Sequence, residues 1–212
     1  MIAVVPIRSG SKGIPNKNVK LLGTKPLVWW VLNALESSNV SKVIIATDPE
    51  YQNIINKFGF SKVITYVRNP KNSQDTSTTE DVLLEVINQL NLDTDIILVQ
   101  ATSPLLTSND INGGIKLYRE YDSVLSVVNQ KRFLWDKNGP INYDYRNRPR
   151  RQDWDGFFVE NGAFYINSSN NILKYKNRLS GNIGLYEMDE KTYYEIDSIN
   201  DWNIVEAINK NK

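Results

Sequence analysis

The chain has neither cysteine nor histidine among its 212 residues. Without cysteine there are no disulfides, no thiolate nucleophile and no Cys-held metal. Without histidine there is no Ser-His-Asp triad, no imidazole general base and no His-ligated zinc. Any metal must sit on oxygen ligands, which favours Mg²⁺, Mn²⁺ or Ca²⁺. Long hydrophobic runs are missing too. No stretch approaches the ~20 apolar residues of a membrane span, and the first apolar run is too short for a secretory leader. The expectation is a soluble, cytoplasmic protein with no membrane partner. Nor is there an excess of either charge: 25 Lys and Arg against 24 Asp and Glu leave a formal net charge of +1. Nothing here implies a nucleic-acid surface. The length suits a single domain over 1–212 with a modest insertion.

What is present alternates. Strand-like runs at Ile2–Pro6, Lys42–Thr47, Val63–Val67, Asp95–Gln100 and Ser123–Val128 are separated by helical patterns at Leu27–Ser37, Glu50–Phe58, Thr79–Leu90 and Ser108–Tyr121. In Thr79–Leu90, Val82, Leu83, Val86, Ile87 and Leu90 recur at helical spacing. Such alternation implies an α/β fold with a mostly parallel sheet in three layers. Ligands of these sheets bind at the C-terminal strand ends, where the first loop, Thr47-Asp48 and Gln100-Ala101-Thr102 all fall. The pattern then breaks. Lys131–Glu160 has no clear period and is rich in Asn, Asp, Arg, Pro and aromatics. This composition suits an excursion onto a partner subunit, since aromatics and Arg are enriched at interfaces; the other reading is a loop with a small local core. Later strands are expected at Ala163–Ile166 and Gly184–Met188, with a closing helix over Trp202–Asn209 that takes in Glu206.

Four stretches carry chemistry. The first strand runs straight into Arg8-Ser9-Gly10-Ser11-Lys12-Gly13-Ile14-Pro15-Asn16-Lys17-Asn18. A cationic, Gly-rich loop after a strand suits a polyphosphate cradle as well as an ordinary basic surface loop. It is neither a P-loop nor a G-x-G-x-x-G turn. Gln100-Ala101-Thr102-Ser103-Pro104-Leu105 ends a strand in a polar turn, fit for ligand contact or for capping the next helix. Arg150-Arg151-Gln152 supplies guanidinium forks that match a carboxylate in two hydrogen bonds, or a solvated basic patch. Glu195-Ile196-Asp197, if extended, places two carboxylates on one face, a donor set suited to Mg²⁺ beside a triphosphate.

Taken in order, these stretches resemble the CMP-sialic acid synthetases (N-acylneuraminate cytidylyltransferases) and their relatives for legionaminic and pseudaminic acids. The likeness rests on Pro6–Asn18, Gln100–Leu105, Arg151-Gln152 ten residues before Asn161-Gly162-Ala163-Phe164-Tyr165-Ile166, and Glu195-Ile196-Asp197. It implies a Rossmann-like three-layer nucleotidyltransferase fold with a small dimerisation segment inserted at about 131–185, hence a homodimer. It implies transfer of CMP from CTP to the anomeric 2-hydroxyl of a nonulosonic sugar acid, with Mg²⁺ (or Mn²⁺) and release of pyrophosphate. By this resemblance Arg8 and Lys17 are the main phosphate cations, in a loop that includes Ser11, Lys12 and Gly13. Arg68 and Ser77 lie on the cytosine side. Gln100, Thr102, Ser103, Arg151 and Asn161 lie on the sugar side. Asp197 is the principal metal ligand, with Glu195 second or acting through water. Ala101, Leu106, Asn182 and Glu195 depart from the usual Pro, Arg, Lys and Asp. Two alternatives remain: a nucleotidyltransferase taking GTP or a sugar 1-phosphate, and a nucleotide-binding module without catalysis.

Overall fold

Side chains alternate across a strand, so a strand buried on both faces must be apolar throughout. Strand β1 (Ile2–Pro6) meets that condition: Ala3 and Val5 enter one core and Val4 the other. The same division holds for β2 (Lys42–Thr47) and for β4 (Asp95–Val99), where Ile97 and Val99 oppose Ile96 and Leu98. The computed structural model describes residues 1–10, 13–73 and 77–210. Its main sheet adds β3 (Val63–Val67), β5 (Ser123–Gln130), β6 (Phe157–Ser168) and β7 (Ile183–Met188), in the order β7-β5-β6-β4-β1-β2-β3. All neighbouring pairs are parallel except those of β6, which runs antiparallel to β4 and β5.

The helices form the outer layers. Helix α1 (Leu27–Glu36), α2 (Pro49–Asn56) and α4 (Ser108–Leu117) press Val28, Val31, Leu32, Leu35, Ile55 and Ile111 onto one face. Helix α3 (Thr79–Gln89) and α5 (Ser169–Tyr175) press Val82, Leu83, Val86, Ile87 and Ile172 onto the other. Each fully buried aliphatic is worth about 1.5–3 kcal/mol over its exposed state, so the two cores hold the sheet. Both α3 and α4 begin in capping boxes, Thr78 with Asp81 and Thr107 with Asp110, which satisfy otherwise orphaned N–H groups.

A third, smaller cluster matters most for function. Helix α6 (Ile199–Lys210) buries Trp202 and Val205 against Ile14, Leu22, Leu27, Leu105 and Ile196. It clamps the start of the chain to its end, just where the parallel strands finish.

Several expected boundaries move. Ala163–Ile166 lies inside the twelve-residue β6, because the apolar run Phe157–Val159, with Glu160, already pairs with β5. Helix α5 carries too short a pattern to be read in advance; Ser168 caps it through the Asn171 N–H. The closing helix starts at Ile199, three residues early, because Ser198 and Asp201 exchange capping bonds. The excursion outside the main sheet therefore covers 131–156. It is a hairpin (Trp135–Asp136 with Gly139–Pro140) beside a cluster in which Phe133 stacks on Trp154 at 4.7 Å and Arg148 sits over Phe133 at 4.5 Å. Trp135, Ile141 and Tyr145 stay more than half exposed on it.

Candidate active site

A cleft of about 370 Å³ opens at the C-terminal ends of β1, β3 and β4. Arg8, Lys17, Arg68, Ser77, Gln100, Thr102, Glu195 and Asp197 all line it. Eight side chains that span almost the whole sequence thus meet in one place. Asn18, Asn72, Thr78 and Thr79 complete its polar wall.

The acid pair is held from several sides. The Thr102 carbonyl accepts from the Ile196 N–H at 2.9 Å, and the Thr102 hydroxyl donates to Glu195 Oε1 at 2.6 Å. Ile196 is fully buried under α6, so Glu195 and Asp197 on either side of it turn outward. Lys17 Nζ, almost buried, donates to the Ile196 carbonyl at 2.6 Å and to Asp197 Oδ1 at 2.9 Å. One lysine of the first loop therefore grips the acid segment 180 positions away. Burial raises the Glu195 carboxyl above the usual range, with the Asp197 charge adding to it and Thr102, Lys17 and Arg178 opposing it.

Two glycines are needed for this approach. A Cβ on Gly13 would lie 2.6 Å from the Asp197 carbonyl oxygen. Gly162, at φ +69° in the register shift of β6, would place a Cβ 2.7 Å from Glu195 Oε2. Any larger residue would push the carboxylate aside.

On the opposite wall, Arg68 is buried and gives its Nε to Asp48 Oδ1 at 2.9 Å. Asp48 also accepts from the Ser9 N–H and hydroxyl and from the Ser73 hydroxyl. Burial pushes its carboxyl up, but these bonds outweigh burial and hold it at about 2. From the sequence, Asp48 falls at a ligand-side strand end but is given no role of its own. Its signal was there: a charged residue directly after a strand that is otherwise apolar.

Other expected residues lie elsewhere. Ser11 and Lys12 are outside the described residues. Asn161 turns inward: its Nδ2 donates to Thr192 Oγ1 at 3.0 Å and approaches the Met188 sulfur, so it braces the turn before Glu195 instead of facing the cleft. Ser103 is buried as well and does not line the cleft. Arg151 is exposed among Lys131, Arg132, Arg148 and Arg150 on the excursion, away from the cleft of its own chain. Leu106 is buried in the main core, so an apolar residue fits where an Arg was the pattern. Asn182 precedes β7, at the end of the sheet opposite the cleft, where it exchanges bonds with Asp122. Asn182 in place of the usual Lys therefore takes no charge from this cleft.

Among the described residues no group of three or more acidic side chains forms a ready metal cage. Two carboxylates do suit Mg²⁺, which binds through one or two protein carboxylates with substrate phosphates and waters completing its shell. Nor, among the described residues, is any helix long and apolar enough to cross a membrane.

The chain is 37% identical over 224 residues to N-acylneuraminate cytidylyltransferase A of Danio rerio, covering 96% of this chain and 49% of that protein. It is 29% identical over 214 residues to N-acylneuraminate cytidylyltransferase of Streptococcus agalactiae, covering 95% of this chain and 51% of that one. It thus spans about half the length of these curated relatives. The solved structure of CMP:2-keto-3-deoxy-manno-octonic acid synthetase complexed with CTP superposes with a TM-score of 0.73 at 18% identity, covering 99% of this chain and 98% of that one. That likeness shows a shared fold. The family model described as Cytidylyltransferase matches residues 2–211, and the chain belongs to the cytidylyltransferase family.

Proposed function

We propose that the protein transfers CMP from CTP to the anomeric 2-hydroxyl of a nonulosonic sugar acid. The observation that carries this reading is the cleft itself: Arg8, Lys17, Arg68, Glu195 and Asp197 line one opening at the strand ends. Three cations there match a triphosphate, and the acid pair matches the divalent ion that accompanies it.

Arg8 and Lys17 bind the phosphates. Arg68 and Ser77 hold the cytidine side, and Gln100 and Thr102 the sugar side. Asp197 and Glu195 would hold Mg²⁺, or Mn²⁺ in its place, which when bound neutralises phosphate charge and lowers the pKa of an attached hydroxyl. The sugar hydroxyl oxygen bonds to the α-phosphorus, the bond from that phosphorus to the bridging oxygen breaks, and pyrophosphate leaves. Asp197 is the exposed carboxylate placed to take the hydroxyl proton. Positioning and charge stabilisation do most of the work. A cytoplasmic location goes with this reading.

Arg151 gives the reading a second part. The excursion at 131–156 sits within the expected dimerisation segment at about 131–185, and it leaves Trp135, Ile141 and Tyr145 uncovered. In a homodimer built on it, Arg151 serves the sugar-acid carboxylate in the cleft of the partner. An inactive Arg151→Ala chain mixed with an inactive Asp197→Asn chain should then regain about a quarter of the wild-type rate per chain, by random pairing of two broken halves. No recovery on mixing would mean that Arg151 does not act in the cleft of the partner.

The principal test is pyrophosphate release from the purified chain with CTP and Mg²⁺ across a panel of nonulosonic acids. Metal-dependent release with one acid is expected. Silence across the panel, with turnover of GTP or of sugar 1-phosphates instead, would overturn the assignment.

A further inference from the structure

Asp48 is 5% exposed and does not line the cleft, yet it receives four hydrogen bonds from two connections, the loop after β1 and the stretch between β3 and α3. Oδ2 accepts the Ser9 N–H at 2.7 Å and the Ser9 hydroxyl at 2.9 Å. Oδ1 accepts Arg68 Nε at 2.9 Å and the Ser73 hydroxyl at 2.7 Å. Ser9 belongs to the loop after β1, Arg68 follows β3, and Ser73 ends the turn Pro70–Ser73. The first loop is the phosphate side of the cleft. The other two form its cytidine side.

One further detail gives this knot a direction. Arg68 is 6% exposed and lines the cleft, and its Nη2 has no hydrogen-bond partner. A buried, unpaired guanidinium nitrogen is costly unless a ligand completes it. The guanidinium is planar, so anchoring Nε fixes where Nη2 points. A single ionised carboxylate thus orients the open arm of Arg68 and, on its other oxygen, the backbone of the phosphate loop.

We infer that Asp48 is a positioning residue that sets the spacing between the phosphate-binding loop and the base-side Arg68, and so matches the cleft to an intact cytidine triphosphate. The inference rests on the CTP reading of the cleft. It differs from a mere structural staple in one respect. Loosening Asp48 misplaces both halves of the site relative to each other, so it penalises a ligand that spans them more than one that touches a single half.

The test is calorimetric titration of the full chain with CTP, CMP and inorganic triphosphate, each with Mg²⁺ and without sugar acid, alongside thermal melting. For Asp48→Asn, CTP binding should weaken about tenfold or more, the scale of a lost charge-assisted bond. The loss for CTP should exceed the loss for CMP and for triphosphate. Asp48→Glu, which keeps the charge, should restore part of it. Should Asp48→Asn not fold, the Ser9→Ala/Ser73→Ala double variant carries the same test, with about a fivefold loss expected for CTP. Equal losses for all three ligands, or unchanged CTP binding in a folded variant, would overturn the inference. A wild-type chain that does not take up CTP would overturn the functional reading and this inference with it.

Discussion

Asp197→Asn is expected to lower kcat/KM for CMP-sugar formation about 100- to 1,000-fold, the scale seen when one preorganised charge is removed from a reacting centre. The substitution keeps shape and removes only charge. Asp197 is the carboxylate that faces outward between buried Ile196 and the start of α6, and it is the partner of Lys17 at 2.9 Å. Its side chain is 74% exposed while that of Lys17 is 11% exposed; Lys17 keeps its bond to the Ile196 carbonyl when Asp197 is changed, so the stability cost should stay near about 1 kcal/mol. Activity and stability should therefore separate. Steady-state kinetics over a Mg²⁺ series would show a large fall in turnover and a weaker apparent metal dependence, while the melting curve barely moves. A variant within about threefold of wild type would remove Asp197 from the metal and proton roles. A variant that loses activity only because it melts at the assay temperature would be exposed by the same melting curve.

Phe164→Ala should give the opposite signature. Phe164 is fully buried and belongs to the same Asn161–Ile166 stretch that resembles a substrate motif. In the fold its ring packs against Tyr186 at 5.6 Å and lies where α4 comes closest to the sheet, over Gly114. Its N–H donates to the buried Ser126 hydroxyl at 3.0 Å. Removing the ring leaves a cavity that Gly114 cannot fill, since it has no side chain to relax inward. The cost should be about 3–5 kcal/mol, as for other buried Phe→Ala changes. For a domain of this size that is a fall of roughly 10 °C in melting temperature. Denaturant unfolding would measure it directly, and a loss under about 1 kcal/mol would mean that the ring is not the keystone described here. At low temperature the folded fraction should still turn over near the wild-type rate, because no atom of Phe164 reaches the cleft.

The two experiments divide one motif between two jobs, and the motif itself does not announce the division. From the sequence, Asn161 and its neighbours look alike as polar and aromatic contacts of a ligand. In the structure, Gly162 makes room for Glu195, Asn161 braces the Thr192 turn and Phe164 fills the core. Each residue in β6 points to a face set by the register with β4 and β5, and the register shift near Gly162 changes that setting partway along. Sequence spacing alone does not reveal the shift. Asn182 and Arg151 show the same limit at larger scale. Both sit in stretches that align with a functional pattern, yet one lies at the far end of the sheet and the other on the excursion.

The sequence by itself determined the things that neighbouring residues decide. Short apolar runs and helical periods produced the strands and most helices, because burial is a local requirement on a short segment. Missing histidine and cysteine confined the chemistry to oxygen ligands and cations. The ordered motifs named the family. Only the tertiary structure decided which of these residues meet. Lys17 grips Asp197 across 180 positions, and Asp48 joins three loops. Such contacts follow from the order β7-β5-β6-β4-β1-β2-β3 and from α6 closing over Ile14 and Ile196. That order is a balance of packing over the whole chain, and no short stretch of sequence carries it.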